Sequence, residues 1–423
     1  MNLNLPRIIF YIFLIIIFNS NALDNPHFYK ASQFYYKPRL AEDGLLSING
    51  YANWGGGDTG YDEERHLVPL LSIWGTQNMN LIADGVPESI LDKFPNSILN
   101  DLWQKNSRCP FGQLYFSGTF KMISADLDIE KNGYDGFFFH IRLPVRRLQI
   151  YDIKVIDNST ESSAGPDINF KEWTTFISNF ESNMNRYGLC LSKQNTNQGF
   201  GDLTFTFGKT INYERTKRLD FVDATFQLGV LFPTGKAANP FDPFELPTGY
   251  NKHFGLPIAS SFSIGMFEWL TIGSYLNLII FKSKDKCVGM KTATCQNGPI
   301  KLAFGEAKVK RGPLLTYGFF IEADHITRGF SFLFGYQLNN QSSTELCPFD
   351  KSIFNMAIVN SDSMLQGWQM STINFILEYD FADFEYPNRP KIGFTLDLTA
   401  KGKQIFRTKI GGFYIGADIS CEF

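Results

Sequence analysis

Five histidines, six cysteines and a series of charges at alternate positions are the residues through which this chain could do chemistry. Acyl or lipid hydrolysis needs a serine, a histidine and an orienting acid or amide converging on one point. The histidines do not supply that set. His140 shares the polar phase of its segment with Arg142 rather than standing beside a serine, His66 and His253 fall in or near loops, and His27 and His325 lie at the opposite end. No HExxH and no paired CxxC spacing occurs, so neither a metal nor any other cofactor is expected, and the chain does not read as an enzyme. The charges are more informative. Lys121, His140, Arg142 and Arg146 in one part of the chain, and Glu322, Glu378, Asp380, Asp397 and Asp418 in another, each occupy the polar phase of a stretch that alternates with period two. Charges so placed share an interior face. Their chemistry is electrostatic: a field across that interior would orient a dipolar solute, or the charges pair and close it.

The element that positions such residues is clearest at the end of the chain. Phe413, Ile415, Ala417, Ile419, Cys421 and Phe423 share one face, while Tyr414, Gly416, Asp418, Ser420 and Glu422 share the other, the pattern of a strand between lipid and a polar interior. Similar stretches recur in pairs from Leu114 onward, among them Phe137 to Val145, Leu203 to Ile211, Val222 to Phe232 and Ile373 to Phe381. Between Leu114 and Met122 the apolar residues are even-numbered. The phase slips by one near Ile123, as at a bulge, which puts Lys121 among the inward charges. Eleven strands follow in this way from Leu114; a weaker one, Leu46 to Trp54, ended by Gly55-Gly56-Gly57, makes twelve.

Connection lengths add a second regularity. The connections at 156–200, 233–251, 282–311 and 339–366 are long, whereas those at 130–133, 214–216, 267–269, 325–328 and 382–389 are short, and the two kinds fall at opposite ends of the strands. A closed barrel with short periplasmic turns and long external loops obeys that parity, and a soluble sandwich has no reason to. The short external turn at Lys401 is the exception. The fold expected is therefore all-β, a closed antiparallel transmembrane barrel of about twelve strands with short helical insertions in its long loops.

Arg7 followed by the apolar run Ile8 to Phe18 and by Ser20-Asn21-Ala22 reads as a secretory signal peptide over residues 1–22. Residues 23–112 form an N-terminal segment with the weak strand and a helical plug or cap, the helix running from Pro87 to Lys105, and 113–423 form the barrel. No later segment holds the roughly eighteen apolar residues of a membrane helix, so entry into a membrane requires strands. Composition agrees, with 42 Phe, 18 Tyr and only 19% charged residues, and a net charge of -3 points away from nucleic acid. In an oxidising compartment Cys287 and Cys295, within one long loop, are candidates for a local disulfide, and Cys109 and Cys190 for a bond between neighbouring loops.

The leader, the strand parity and the closing strand together resemble Gram-negative outer-membrane β-barrel proteins over nearly the whole chain. That resemblance implies an outer-membrane location with membrane lipids as neighbours. It also implies insertion by the barrel-assembly machinery, which would read Phe413, Ile415, Ile419 and Phe423 as an assembly signal. Leu231-Phe232-Pro233-Thr234-Gly235, before a loop rich in Pro and Gly, is loosely similar to the porin-like family associated with phenol degradation. The resemblance implies a channel for small solutes, hydrophobic or aromatic compounds among them. A structural or adhesive barrel acting through its loops is the alternative, and an outer-membrane lipid hydrolase a more distant one.

Overall fold

The computed structural model describes residues 44–91, 111–160, 169–214, 219–327, 329–381 and 389–420. Twelve long antiparallel strands form its wall. These are β1 (Leu45–Tyr61), β2 (Gln113–Asn132), β3 (Phe137–Asp157), β4 (Leu203–Glu214), β5 (Phe221–Phe232) and β6 (Gly255–Met266), then β7 (Leu270–Phe281), β8 (Leu314–Thr327), β9 (Phe330–Gln341), β10 (Trp368–Asp380), β11 (Pro390–Lys403) and β12 (Ile405–Ser420). Neighbours in sequence are neighbours in the wall. β1 pairs both with β12, Tyr51 opposite Tyr414, and with β2, Ala52 opposite Ala125, so the barrel is closed and exposes no edge.

The alternation that sets each strand's two faces is visible in β12, where Phe413 is 56% and Ile415 68% exposed while Tyr414 and Asp418 are each 5% exposed. The outward phase of the other strands is likewise aromatic and aliphatic, with Phe205, Phe207, Phe319, Phe332 and Phe334 exposed. Such a belt is stable only against lipid. No helix among the described residues is long and apolar enough to cross a membrane; the strands make the crossing.

Two expectations about the first strands are corrected. Gly55-Gly56-Gly57 does not end β1, which continues to Tyr61. A Cβ on Gly55 or Gly57 would collide with the Lys409 or Arg407 carbonyl oxygen of β12, and one on Gly56 with the Phe120 carbonyl oxygen of β2. The triplet is where β1 passes tightly between both neighbours, beside a register shift between Gly56 and Thr59. Nor does β2 change phase near Ile123. Its even-numbered residues face inward along the strand; Leu114, Phe116, Phe120 and Met122 are buried inside the outer half, and Ser124, Asp126 and Asp128 lie deeper.

That apolar inner face is covered by loops. The segment after β1 folds into the barrel mouth with Leu70, Leu71, Ile73 and Met79 against Phe116 and Phe120, and the connection after β3 adds Trp173, Phe176 and Phe180. Each large side chain so buried contributes about 1.5–3 kcal/mol. The connection after β3 carries α1 (Phe170–Ser178), whose N-cap Asn169 accepts from the Glu172 amide, and α2 (Phe180–Arg186). Its strand Asn195–Phe200 pairs with the outer half of β3, where β4 is too short to reach. Of the helix expected from Pro87 to Lys105, Glu88–Leu91 is helical, and 92–105 lies outside the described residues. A three-stranded sheet, Lys284–Gly289, Phe304–Arg311 and Thr344–Pro348, joins the loops after β7 and β9.

The Cys287–Cys295 disulfide is not formed among the described residues, and the Cys109–Cys190 pairing falls on a residue outside them. Cys190, Cys287, Cys295 and Cys347 are free thiols. Cys287 is held on a strand opposite Glu306, and the chain after it turns inward to bury Met290 and Ile300, separating it from Cys295. Cys109 lies outside the described residues, as do Cys421, Phe423 and the leader.

Candidate functional site

The inner wall carries the charges. On β3, His140 contacts Asp128, and the Arg142 guanidinium lies 3.6 Å from Asp126, whose side chain has no exposed surface. Asn374 donates to Asp397, while Lys391 lies 3.1 Å from Asp418, which also accepts from the Ser47 hydroxyl. Glu322 and Glu378 are buried on β8 and β10, with Asp380 half-buried at the periplasmic end of β10. Lys121 is not among them. It is exposed on the outward face of β2, because that strand keeps one phase and places Phe120 and Met122 inside.

Asp126, Asp128 and Lys391 belong to the same inner surface and were not picked out from sequence, although Asp126 and Asp128 alternate with Ile123, Leu127 and Ile129. Between the charges the wall is closely packed. Tyr275, Phe320, Leu333, Ile376 and Tyr414 form a second apolar cluster inside the barrel, and the Tyr275 hydroxyl donates to Gln337. These side chains narrow the lumen at that level.

Asp223, Glu322, Glu378 and Asp418 lie toward the periplasmic ends of their strands. Farther out, Arg142, Arg146 and Arg311 act electrostatically on Tyr250 at the foot of the loop cap, Arg311 stacking over the Tyr250 and Phe281 rings. Burial raises the Tyr250 hydroxyl pKa above its usual range, against the pull of these cations. Nearby Asp202 accepts from the Gly235 and Tyr250 amides; burial raises its pKa, and those hydrogen bonds and Arg146 oppose the rise.

Above this ring the cap encloses a cavity of about 370 Å³. Its apolar wall includes Trp74, Leu246, Phe304, Leu346, Met364 and Trp368. Its polar wall includes Asp242, Glu245, Lys301, Asp362, Thr344 and Gln404. Lys301 and Asp362 pair at 3.0 Å, each side chain less than a tenth exposed. The Asp242 pKa is raised to about 6, first by burial and then by Glu245, against hydrogen bonds from Phe244 and Asn195.

A closed twelve-stranded barrel with an apolar outer belt, a charged inner wall and long loops at one end is an outer-membrane β-barrel. No family model and no curated protein matches the chain in sequence. Among solved structures it is similar to an outer membrane channel from Pseudomonas putida F1, with a TM-score of 0.51 at 9% identity over 92% of this chain and 100% of that one. A FadL homologue of Pseudomonas aeruginosa has a TM-score of 0.32 at 9% identity, covering 95% of this chain and 100% of that one. The Ralstonia pickettii toluene transporter TbuX has a TM-score of 0.33 at 8% identity, covering 90% of each chain. The Pseudomonas putida match establishes a shared fold; the other two are too distant to add to it.

Proposed function

We propose that this barrel passes small solutes with substantial apolar surface across the outer membrane, admitting them through the cavity in the loop cap. The observation that carries the reading is that cavity: a concave chamber with tryptophan and aliphatic walls, set over a charged lumen. A barrel that served only to hold surface loops would gain nothing from an apolar chamber beneath them. The similarity to the Pseudomonas putida channel supports the same reading.

In this reading His140, Arg142, Arg146, Glu322, Glu378, Asp380, Asp397 and Asp418 line the path and tune which solutes traverse it. Phe413, Ile415 and Ile419, together with Phe423, serve assembly, with membrane lipids around the belt and the barrel-assembly machinery as the partner that inserts it.

Uptake by proteoliposomes of the purified chain tests the proposal. Small aromatics such as toluene should enter faster than into protein-free vesicles, whereas a disaccharide should not. Equal rates with and without protein for every solute, in the native chain and in a variant lacking the cap residues 70–82, would remove the transport reading.

A further inference from the structure

One sector of the barrel's outward surface departs from the lipid-facing pattern. Trp54 and Phe413, with ring centroids 5.4 Å apart, belong to the aromatic belt where β1 meets β12. One pleat nearer the loops the outward residues become cationic. Lys121 of β2 and Lys409 of β12 both stand opposite Gly56 of β1, one on each side of it. Gly56 bears no side chain, so the two lysines flank a bare strip of backbone, their Cα atoms about 10 Å apart, twice the spacing of neighbouring strands. Arg407, two residues nearer the loops on β12, and Arg147 of β3, opposite Ile123, widen the group, and Lys401 extends it onto β11. All five side chains are exposed.

None of the five forms an ion pair among the described residues. Lys403 beside them differs, lying 3.3 Å from Glu63. Asp58 of β1 and Asp152 of β3 are the exposed acids on the outer halves of these strands, and Lys154 offsets Asp152, so the sector is net positive. The opposite wall has no such group. There Phe232, Leu256, Ile280 and Tyr317 are the exposed residues near the outer ends of β5, β6, β7 and β8. Cations so crowded repel one another and are costly on a lipid-facing surface, so their grouping on one side calls for negative charge supplied from outside the chain.

We propose that this sector binds a phosphorylated glycolipid of the outer leaflet, the lipid A headgroup of lipopolysaccharide. Phosphate oxygens accept from Lys121 and Lys409 across the Gly56 strip, Arg407 meets phosphate through its planar guanidinium, and the acyl chains run down over Trp54 and Phe413. Depth selects a lipid over a soluble acidic protein. Arg147 is opposite Ile123, which is opposite Trp54, so the cations begin at the level of the belt itself. A second copy of the chain is disfavoured, because a two-fold contact would set these cations against their own equivalents. The site is on the outside of the wall and is independent of transport through the lumen.

The test is native mass spectrometry of the full chain in detergent, titrated with diphosphoryl lipid A, with the same lipid stripped of its phosphates and with phosphatidylglycerol. The native protein should retain diphosphoryl lipid A at least tenfold more tightly than either of the others. Lys121→Gln with Lys409→Gln should lose at least fivefold of that affinity, whereas Lys409→Arg alone should keep it. Lys282→Gln removes an exposed cation just beyond β7 on the opposite wall and should change nothing. The altered residues are exposed, and a heat-modifiability gel on each variant checks that the barrel is intact. Equal retention of the three lipids by the native chain, native affinity in the double variant, or an equal loss in Lys282→Gln overturns the proposal. So does a change in self-association of the double variant with lipid binding intact, which would make the sector a contact between copies.

Discussion

The Lys301 ammonium lies 3.0 Å from the Asp362 carboxylate, and neither side chain is more than a tenth exposed. The pair joins the loop after β7 to the loop after β9 inside the cavity wall, and Lys301 also donates to the Gly298 carbonyl. Removing one partner of a buried pair strands the other charge, at a cost on the order of 3 kcal/mol. Asp362→Asn should therefore loosen the cap, speeding proteolysis of the outer loops while the barrel stays folded on a heat-modifiability gel. The double change Lys301→Met with Asp362→Leu should restore protease resistance. If it is as sensitive as the single variant, the ion pair is not what holds these loops.

A tighter constraint acts on the closure of the wall. Gly56→Ala should weaken the β1–β2 seam by about 1–3 kcal/mol, because the added methyl has no space beside the Phe120 carbonyl. Gly50→Ala on the same strand should be neutral, since nothing lies within 4 Å of its Cβ position. Urea titration of the two variants in detergent provides the comparison, and equal midpoints would contradict the packing described for the triplet.

The arginines of β3 should respond differently to removal. Arg142→Ser leaves the fully covered Asp126 without its guanidinium and should lower barrel stability. Arg146, whose guanidinium donates to the Thr248 carbonyl, is not ion-paired to Asp126, so Arg146→Ser should shift reversal potentials toward cations with a smaller loss of stability. An unchanged reversal potential in reconstituted bilayers would show that Arg146 does not face the conducting path.

Asp242 gives the loop after β5 a pH dependence of definite sign. Its pKa in the folded chain is about 6, above the ordinary carboxyl value of 3.8, so the folded loop holds the proton more tightly. Stability is then fully present below about pH 4 and is lost as pH rises towards 6, by at most about tenfold in the opening equilibrium per pH unit. Hydrogen exchange of residues 233–254 between pH 4 and 7 should show this slope, and Asp242→Asn should flatten it.

The wall was legible in the sequence because lipid outside and polar groups inside impose period two on every crossing. Phe413, Ile415, Tyr414 and Asp418 could hardly be placed otherwise. The outer half of β2 was not legible for the same reason in reverse. Leu114, Phe116, Phe120 and Met122 alternate like lipid-facing residues, but face a core made by loops that come from elsewhere in the chain, and no local pattern reports that. Lys121 was misplaced as a consequence. Three consecutive glycines likewise read locally as a break, whereas their role is set by the two strands on either side. Gln404 carried no signal at all, since its place at the cavity depends on a turn, a register and Ser363 in another loop.

β1 has one further consequence, and it concerns the order in which the molecule can form. Leu45 pairs with Ser420, so the seam between β1 and β12 joins residues from nearly opposite ends of the described chain. Contacts of such sequence separation form slowly. The segment that seats Leu70, Leu71 and Met79 in the mouth is tethered directly to the far end of β1. Part of their packing surface, Phe116 and Phe120, lies on β2 beside β1, but Phe406 and Ile410 come from β12 and join only when the seam has zipped. Closure of the wall therefore completes the core of the mouth, and the cap gains its last contacts behind it.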